Sequence, residues 1–252
     1  MSKKKIAIQG ELGAYSHIAA ENLYKDSEIK TCTTFEETFK QAYNDPSYKI
    51  VIPIENSLAG RVADIHYLLP KYKLQIHGEH FQAVEHNLLC KPDATISDIK
   101  FVRSHAQAIG QCQNLITKKK FKPIISADTA GSAKDLAEGK DITIAAIASE
   151  LSAKIYNLKI LEKNIEDEKG NVTRFLIMGK NIEQPEFKEE KKFITSCIFR
   201  VKSEPSALYK CLGGFATNQV NLTKLESFSV KSVLDRKTCL LYTSDAADDE
   251  TS

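Results

Sequence analysis

The residues of this chain that could do chemistry are hydroxyls, amides and one guanidinium, gathered in short polar clusters. Asn56 and Ser57 follow an apolar run, Ser104, His105 and Gln107 follow another, Thr129 comes after Asp128, and Thr173 stands beside Arg174. Such groups can hold carboxylates and assist a departing hydroxyl, but they are poor nucleophiles without an activating partner. Each cluster also has a purely structural reading. Ser104-x-x-Gln107 fits a capping box, Ser16 and Thr129 fit helix caps, and Asn56-Ser57 fits a turn. His105 fits a satisfied histidine at a helix start, and Arg174 fits a structural ion pair. Their joint occurrence at successive strand ends favours a site.

Other chemistries lack their motifs. The sequence has no Cys-x-x-Cys pair, no Gly-x-x-x-x-Gly-Lys-Ser/Thr loop and no Gly-x-Ser-x-Gly elbow. Gly10-x-x-Gly13 follows a strand but lacks the third glycine of a dinucleotide fingerprint. The six cysteines are scattered, as expected of reduced, buried thiols in a cytoplasm. Thirty-five basic against 33 acidic residues give a net charge of +2, too balanced to indicate nucleic acid. No apolar run reaches the length of a membrane span, and the lysine-rich start is not followed by a signal-peptide core.

The elements that would position these clusters alternate. A strand over residues 6–9 leads to a helix that Ser16 could cap. Thr34 and Glu37 form a capping box for a helix that ends at Asn44-Asp45-Pro46, and residues 49–54 form a strand. Strands over 99–102, 123–126 and 142–145 are each followed by a helix, beginning at Ala106, Ala130 and Ser149. A further strand covers 173–178. This alternation predicts an α/β fold with parallel sheets covered on both faces and ligands beyond the carboxyl ends of the strands. The polar stretch 181–192 reads as a linker. After it, residues 193–201 and 220–228 read as strands and 205–215 as a helix.

Five segments carry a resemblance. Gly10-Glu-Leu-Gly-Ala-Tyr-Ser16, Val51-Ile-Pro-Ile-Glu-Asn-Ser57, Ser104-His-Ala-Gln-Ala108, Ala145-Ala-Ile-Ala-Ser149 and Asn171-Val-Thr-Arg-Phe175 occur in the order seen in prephenate dehydratases. Beyond the linker, Glu204-Pro-Ser-Ala-Leu-Tyr209 and Asn221-Leu-Thr-Lys-Leu-Glu-Ser227 resemble the opening of the ACT domain that follows those enzymes. Ser206 stands where that family has glycine, Phe228 and Ser229 where it has arginine and proline, and Ala106 where it has proline.

The resemblance implies a cytoplasmic lyase that turns prephenate into phenylpyruvate in phenylalanine biosynthesis, without a cofactor or a metal. It implies a catalytic module over residues 1–180, built as two α/β lobes like a type 2 periplasmic binding protein with substrate between them. Thr173 would act on the leaving hydroxyl, with Asn56, Ser57, Ser104, Gln107, Thr129 and Arg174 binding the dianion. An incomplete βαββαβ ACT domain would occupy 193–235, reduced to two strands and one helix with unpaired edges. Its phenylalanine effector positions, Ser206, Ala207, Leu208, Glu226 and Ser227, depart from the pattern in part, so phenylalanine is expected neither to inhibit nor to stabilise. Residues 236–252 break the composition before them and look like translated library-adapter sequence, an expected non-native tail. A homodimer is implied, with no nucleic-acid or membrane partner. Arogenate dehydratase and a non-catalytic binding protein of the same fold are the alternatives.

Overall fold

A computed structural model describes residues 3–181, 194–202, 204–229 and 237–244. Nearly all of the expected linker, residues 230–236 and the end of the expected tail lie outside these residues. The chain divides into two compact units, residues 1–68 with 72–183 and residues 69–71 with 184–252.

The first unit opens with strand β1 (Lys5–Gln9), helix α1 (Tyr15–Leu23), β2 (Glu28–Cys32), α2 (Phe35–Asn44) and β3 (Tyr48–Asn56). Then come β4 (Gly60–Arg61), α3 (Ala63–Tyr72), β5 (Gln75–Ala83) and β6 (Asn87–Cys90). The middle of the chain adds β7 (Phe101–His105), α4 (Ala106–Gly110), α5 (Gln113–Lys119), β8 (Lys122–Ser126) and α6 (Thr129–Glu138). The unit closes with β9 (Ile144–Ala148), α7 (Glu150–Ile155), β10 (Lys159–Glu162) and β11 (Val172–Gly179).

These strands form two sheets, ordered β2-β1-β3-β11-β5 with β4 on β3, and β10-β6-β9-β7-β8. Both are mixed, which corrects the expectation of parallel sheets. The βα alternation gives parallel pairs only at β1 with β2 and β3, and at β7 with β8 and β9. The chain passes from the first sheet to the second after β5 and returns before β11, so outgoing and incoming strands run side by side in opposite directions. Val172 therefore faces Ala83 in an antiparallel register, and β10 pairs antiparallel with β6. The two crossing segments bond each other: Val84 N–H donates to the Asn171 carbonyl at 2.8 Å and Ile165 N–H to the His86 carbonyl at 2.9 Å.

Each sheet is apolar on both faces because its central strands carry apolar residues at successive positions. In the second sheet Ala145 and Ile147 pack with Ile109, Cys112 and Ile116, while Ala146 and Ala148 pack with Ala133, Leu136 and Ala153. In the first, Ile6, Ile8, Val51, Phe175 and Ile177 pack against Ala19 and Ala20 of α1. Burying each of the valine, leucine, isoleucine and phenylalanine side chains among these is worth about 1.5–3 kcal/mol.

The helix starts decide which polar residues are structural. Thr34 accepts from Glu37 N–H at 3.1 Å, and the Glu37 carboxylate reaches back to Thr33 N–H at 2.9 Å, one residue earlier than the capping box predicts. Ser16 is not a cap: it lies inside α1, and its hydroxyl donates to the Gln9 carbonyl at 3.1 Å. Asp128, not Thr129, caps α6, accepting from Gly131 N–H at 2.6 Å.

The second unit holds β12 (Ile194–Arg200), α8 (Ala207–Thr217), β13 (Asn221–Ser229) and β14 (Lys237–Ser244). Its sheet order is β12-β14-β13, with both pairings antiparallel. The expected two-stranded remnant is thereby corrected. Residues 237–244, assigned to the tail from sequence, form the central strand. Thr238, Tyr242 and Thr243 have strand-favouring side chains, and this segment supplies backbone partners that β12 and β13 would otherwise lack.

Candidate active site

Thr173 is buried at the start of β11, directly across from Asn56 at the end of β3. Asn56 is oriented by backbone: its Oδ1 accepts from Leu58 N–H at 3.1 Å and Ala59 N–H at 2.8 Å. Its Nδ2 must then donate, to Thr173 Oγ1 at 2.9 Å and Asn171 Oδ1 at 2.6 Å. Thr173 Oγ1 is thus occupied as an acceptor, and its single hydrogen is left to be donated elsewhere. Ser57 is set in the same way. Its Oγ accepts from Val172 N–H at 2.9 Å, and its own N–H donates to the Val172 carbonyl at 2.8 Å. Asn56, Ser57 and Thr173 therefore form one cluster, made by the register of β3 against β11.

Two members of this cluster had no assigned role in the sequence reading. Asn171 Nδ2 donates to Gln111 Oε1 at 3.1 Å, and Gln111 Oε1 lies 2.9 Å from His86 Nε2. Asn171 opened a quoted motif. Gln111 stands four residues beyond Gln107, so the helical repeat of α4 was the signal that could have found it. Its amide nitrogen bonds no other described residue. His86 sits in one crossing segment and Asn171 in the other.

The remaining expected ligands stand elsewhere. Successive strand residues face opposite ways, so Arg174 leaves the sheet on the face away from Thr173. Its guanidinium is held by Glu79, with Nε at 2.7 Å and Nη2 at 2.6 Å from one carboxylate oxygen, and it lies over the Phe81 ring. Phe175 is core, as strand alternation predicts. Ser104 is fully buried and donates to the Ile147 carbonyl at 2.7 Å. His105 caps α4, accepting from Gln107 N–H at 3.3 Å. Gln107 is exposed and Thr129 half-buried, and neither side chain bonds another described residue. In the second unit Ser206 precedes α8 with φ +63°, a left-handed conformation that favours glycine, with Ala207 and Leu208 in the first turn. Glu226, 3.1 Å from Lys224, and Ser227 lie on β13.

The loop after β1 ties the two sheets together. The Gly13 carbonyl accepts from Ser149 Oγ at 2.6 Å and Ser152 Oγ at 3.0 Å, and Tyr156 donates to the Leu12 carbonyl at 3.0 Å. Gly13 has φ +89°, and a Cβ there would come within 2.5 Å of Ser152 Oγ and 2.8 Å of Ser152 Cα. Only glycine fits.

The electrostatics disfavour a thiolate. Burial, reinforced by Asp167 and Glu166, pushes the Cys112 thiol up to about 12. Burial also raises Tyr15 and holds His86 below the ordinary histidine value, against the opposing bond to Gln111 and charge of Glu166. At neutral pH the cluster is an array of neutral amides and hydroxyls. That array can orient an anion and donate hydrogen bonds to a leaving oxygen; covalent attack is not its chemistry.

Fold and site together define a class: an α/β protein of two mixed sheets joined by a double crossing, with an amide and hydroxyl site beside the crossing. Comparison narrows the class to a family. The family model described as prephenate dehydratase matches residues 6–183, and the chain belongs to that family. It is 40% identical over 229 residues to a bifunctional N-acyl-homoserine lactone acylase/prephenate dehydratase of Komagataeibacter europaeus, covering 90% of this chain and 80% of that protein. It is 39% identical over 222 residues to the prephenate dehydratase of Methanocaldococcus jannaschii, covering 85% of this chain and 79% of that one. It is 41% identical over 226 residues to arogenate dehydratase/prephenate dehydratase 2 of Arabidopsis thaliana, covering 90% of this chain but only 59% of that longer protein. The solved prephenate dehydratase of Arthrobacter aurescens, in complex with L-Phe, shares the fold, with a TM-score of 0.85 at 24% identity, covering 95% of this chain and 80% of that one.

Proposed function

We propose that this chain converts prephenate to phenylpyruvate, a step of phenylalanine biosynthesis, with Thr173 as the group that acts on the leaving hydroxyl. The reading is carried by the bond from Asn56: a threonine whose oxygen is already filled as an acceptor has its hydrogen free for a departing oxygen. In the reaction the ring carboxylate leaves as carbon dioxide, and its electron pair flows into the ring as the bond to the ring hydroxyl breaks. That hydroxyl takes up a proton and departs as water. Aromatisation supplies the driving force, so the protein's task is positioning and electrostatic support. A threonine is too weak an acid to surrender its proton unaided, and its contribution is a hydrogen bond that strengthens as charge builds on the leaving oxygen.

In this reading Ser57 and Gln111 offer donors to substrate oxygens beside Asn56 and Thr173. Gln107 and Thr129, near the starts of α4 and α6, would offer side chains on the second sheet's side, while Ser104, fully buried with its hydroxyl on the Ile147 carbonyl, would act only as support. Arg174 acts as support, since Glu79 already takes its guanidinium. The substrate would lie between two lobes of the periplasmic-binding kind. The second unit is read as ACT-like, because strand, helix, strand and strand with order β12-β14-β13 suit the first part of a βαββαβ domain. A homodimer and a cytoplasmic location belong to the same proposal; the free thiols at Cys32, Cys90, Cys112, Cys197 and Cys211 support the latter.

The test is to offer prephenate and arogenate separately to purified protein, with ultraviolet detection of the aromatic product. Turnover of prephenate is expected, unchanged by millimolar L-phenylalanine. Turnover of arogenate alone would replace the substrate with its amino-bearing counterpart, and binding without turnover would make the chain a ligand carrier.

A further inference from the structure

We infer that His86 is a positioning residue for this site: by donating from Nε2 to Gln111 Oε1 it fixes which end of the Gln111 amide faces the substrate. The inference rests on the reading of the Thr173 cluster as the reaction site, and it concerns a residue that touches no expected ligand.

The polarity of the network can be followed bond by bond. Asn56 Oδ1 accepts from the Leu58 and Ala59 amides, so Asn56 Nδ2 donates to Asn171 Oδ1. Asn171 Oδ1 being an acceptor, Asn171 Nδ2 is the donor to Gln111. The Gln111 atom it meets must therefore be the carbonyl oxygen. That same oxygen lies 2.9 Å from His86 Nε2, and two acceptors cannot share a hydrogen bond, so His86 carries its hydrogen on Nε2. On the other side of the ring, Nδ1 is then an acceptor, 3.1 Å from the Tyr15 hydroxyl, whose single hydrogen is shared between Nδ1 and the Glu85 carbonyl at 2.6 Å. The Tyr15 ring meets His86 edge-on at a centroid separation of 5.9 Å. His86 is buried, and its own N–H is bound by the Glu166 carboxylate at 3.0 Å, so both backbone and ring are held.

The consequence falls on Gln111. With Oε1 committed to His86 and Asn171, the two hydrogens of Nε2 are the end left for a ligand. A dianionic substrate needs donors there. Were the amide turned over, a carbonyl oxygen would meet a carboxylate and affinity would fall. Asn171 alone, at 3.1 Å, is a single restraint on a rotatable amide; His86 is the second, and it comes from the opposite crossing segment.

Two substitutions separate this role from mere packing. Gln at position 86 can place its amide nitrogen near where Nε2 was, whereas Asn can imitate only the Nδ1 side. His86→Gln is expected to retain kcat/KM for prephenate within about threefold. His86→Asn should lose about tenfold or more, mostly in KM, the scale of one hydrogen bond to a charged group. In a Gln111→Ala background His86→Asn should cost nothing further. Equal losses in the two variants, or additive losses with Gln111→Ala, would overturn the inference. A second readout does not depend on turnover: nitrogen-15 histidine spectra of the unsubstituted chain should show a hydrogen on His86 Nε2. A bare Nε2 with the hydrogen on Nδ1 would overturn the inference even in a fully active protein. An unsubstituted chain without prephenate turnover would instead sink the proposed function, leaving the spectra to decide the role of His86.

Discussion

Thr173 shows how little the identity of a side chain says until its partners are known. A buried threonine hydroxyl is ordinarily a satisfied donor. Here Asn56 fills its oxygen and nothing else described takes its hydrogen. Thr173→Val keeps the volume and removes the hydroxyl, so it should lower kcat about a hundredfold or more while changing KM little. Steady-state kinetics decide this, and a rise confined to KM would make Thr173 a binding group. Arg174 makes the complementary point. A guanidinium beside the catalytic candidate in sequence is spent on Glu79 across the sheet, because strand geometry sends adjacent side chains to opposite faces.

Among the elements, the loop between β1 and α1 contributes most beyond its own length. Its Gly13 carbonyl receives both serines at the start of α7, so a turn in one sheet caps the approach of the other. An alanine at Gly13 meets a left-handed backbone and the Ser152 backbone together. Gly13→Ala is expected to cost at least about 2 kcal/mol, from about 1–2 kcal/mol of backbone strain plus the displaced contact. In a domain of this size that is a fall of roughly 4–8 °C in Tm, read in a thermal melt. An unchanged melting temperature would mean that the loop shifts freely and does not tie the sheets. At Ser206 the left-handed φ coincides with the position where the resembling family carries glycine, so that departure places a strained residue at the start of α8.

For the whole molecule, the buried histidines link stability to pH. His86 and His17 are both buried and held below the ordinary value of 6.5, with burial the largest cause in each. Below about pH 6.5 the unfolded chain therefore takes up protons that the folded chain resists. Stability is full above that value, falls as pH drops toward each folded pKa, and loses nothing further from these groups once they are protonated in both states. Tm should thus be lower at pH 5.5 than at pH 7.5, and His86→Gln should shrink the difference. A flat profile would show that these sites are open to water.

How much was legible in advance follows the same scales. The strand and helix starts around Thr34, Ala106 and Ser149 are local matters of capping and periodicity, and residue order alone carried them. The five ordered motifs likewise put Asn56, Ser57 and Thr173 in one expected site, and the register of β3 against β11 brings the three together. The mixed sheets, the central place of residues 237–244, the capture of Arg174 by Glu79 and the joining of His86, Gln111 and Asn171 were not legible. Each depends on which strands lie side by side after the chain has crossed twice between sheets. Hydrogen bonds between residues as far apart as Asn56 and Asn171 are set by that register, and only the folded chain brings their donors and acceptors within reach.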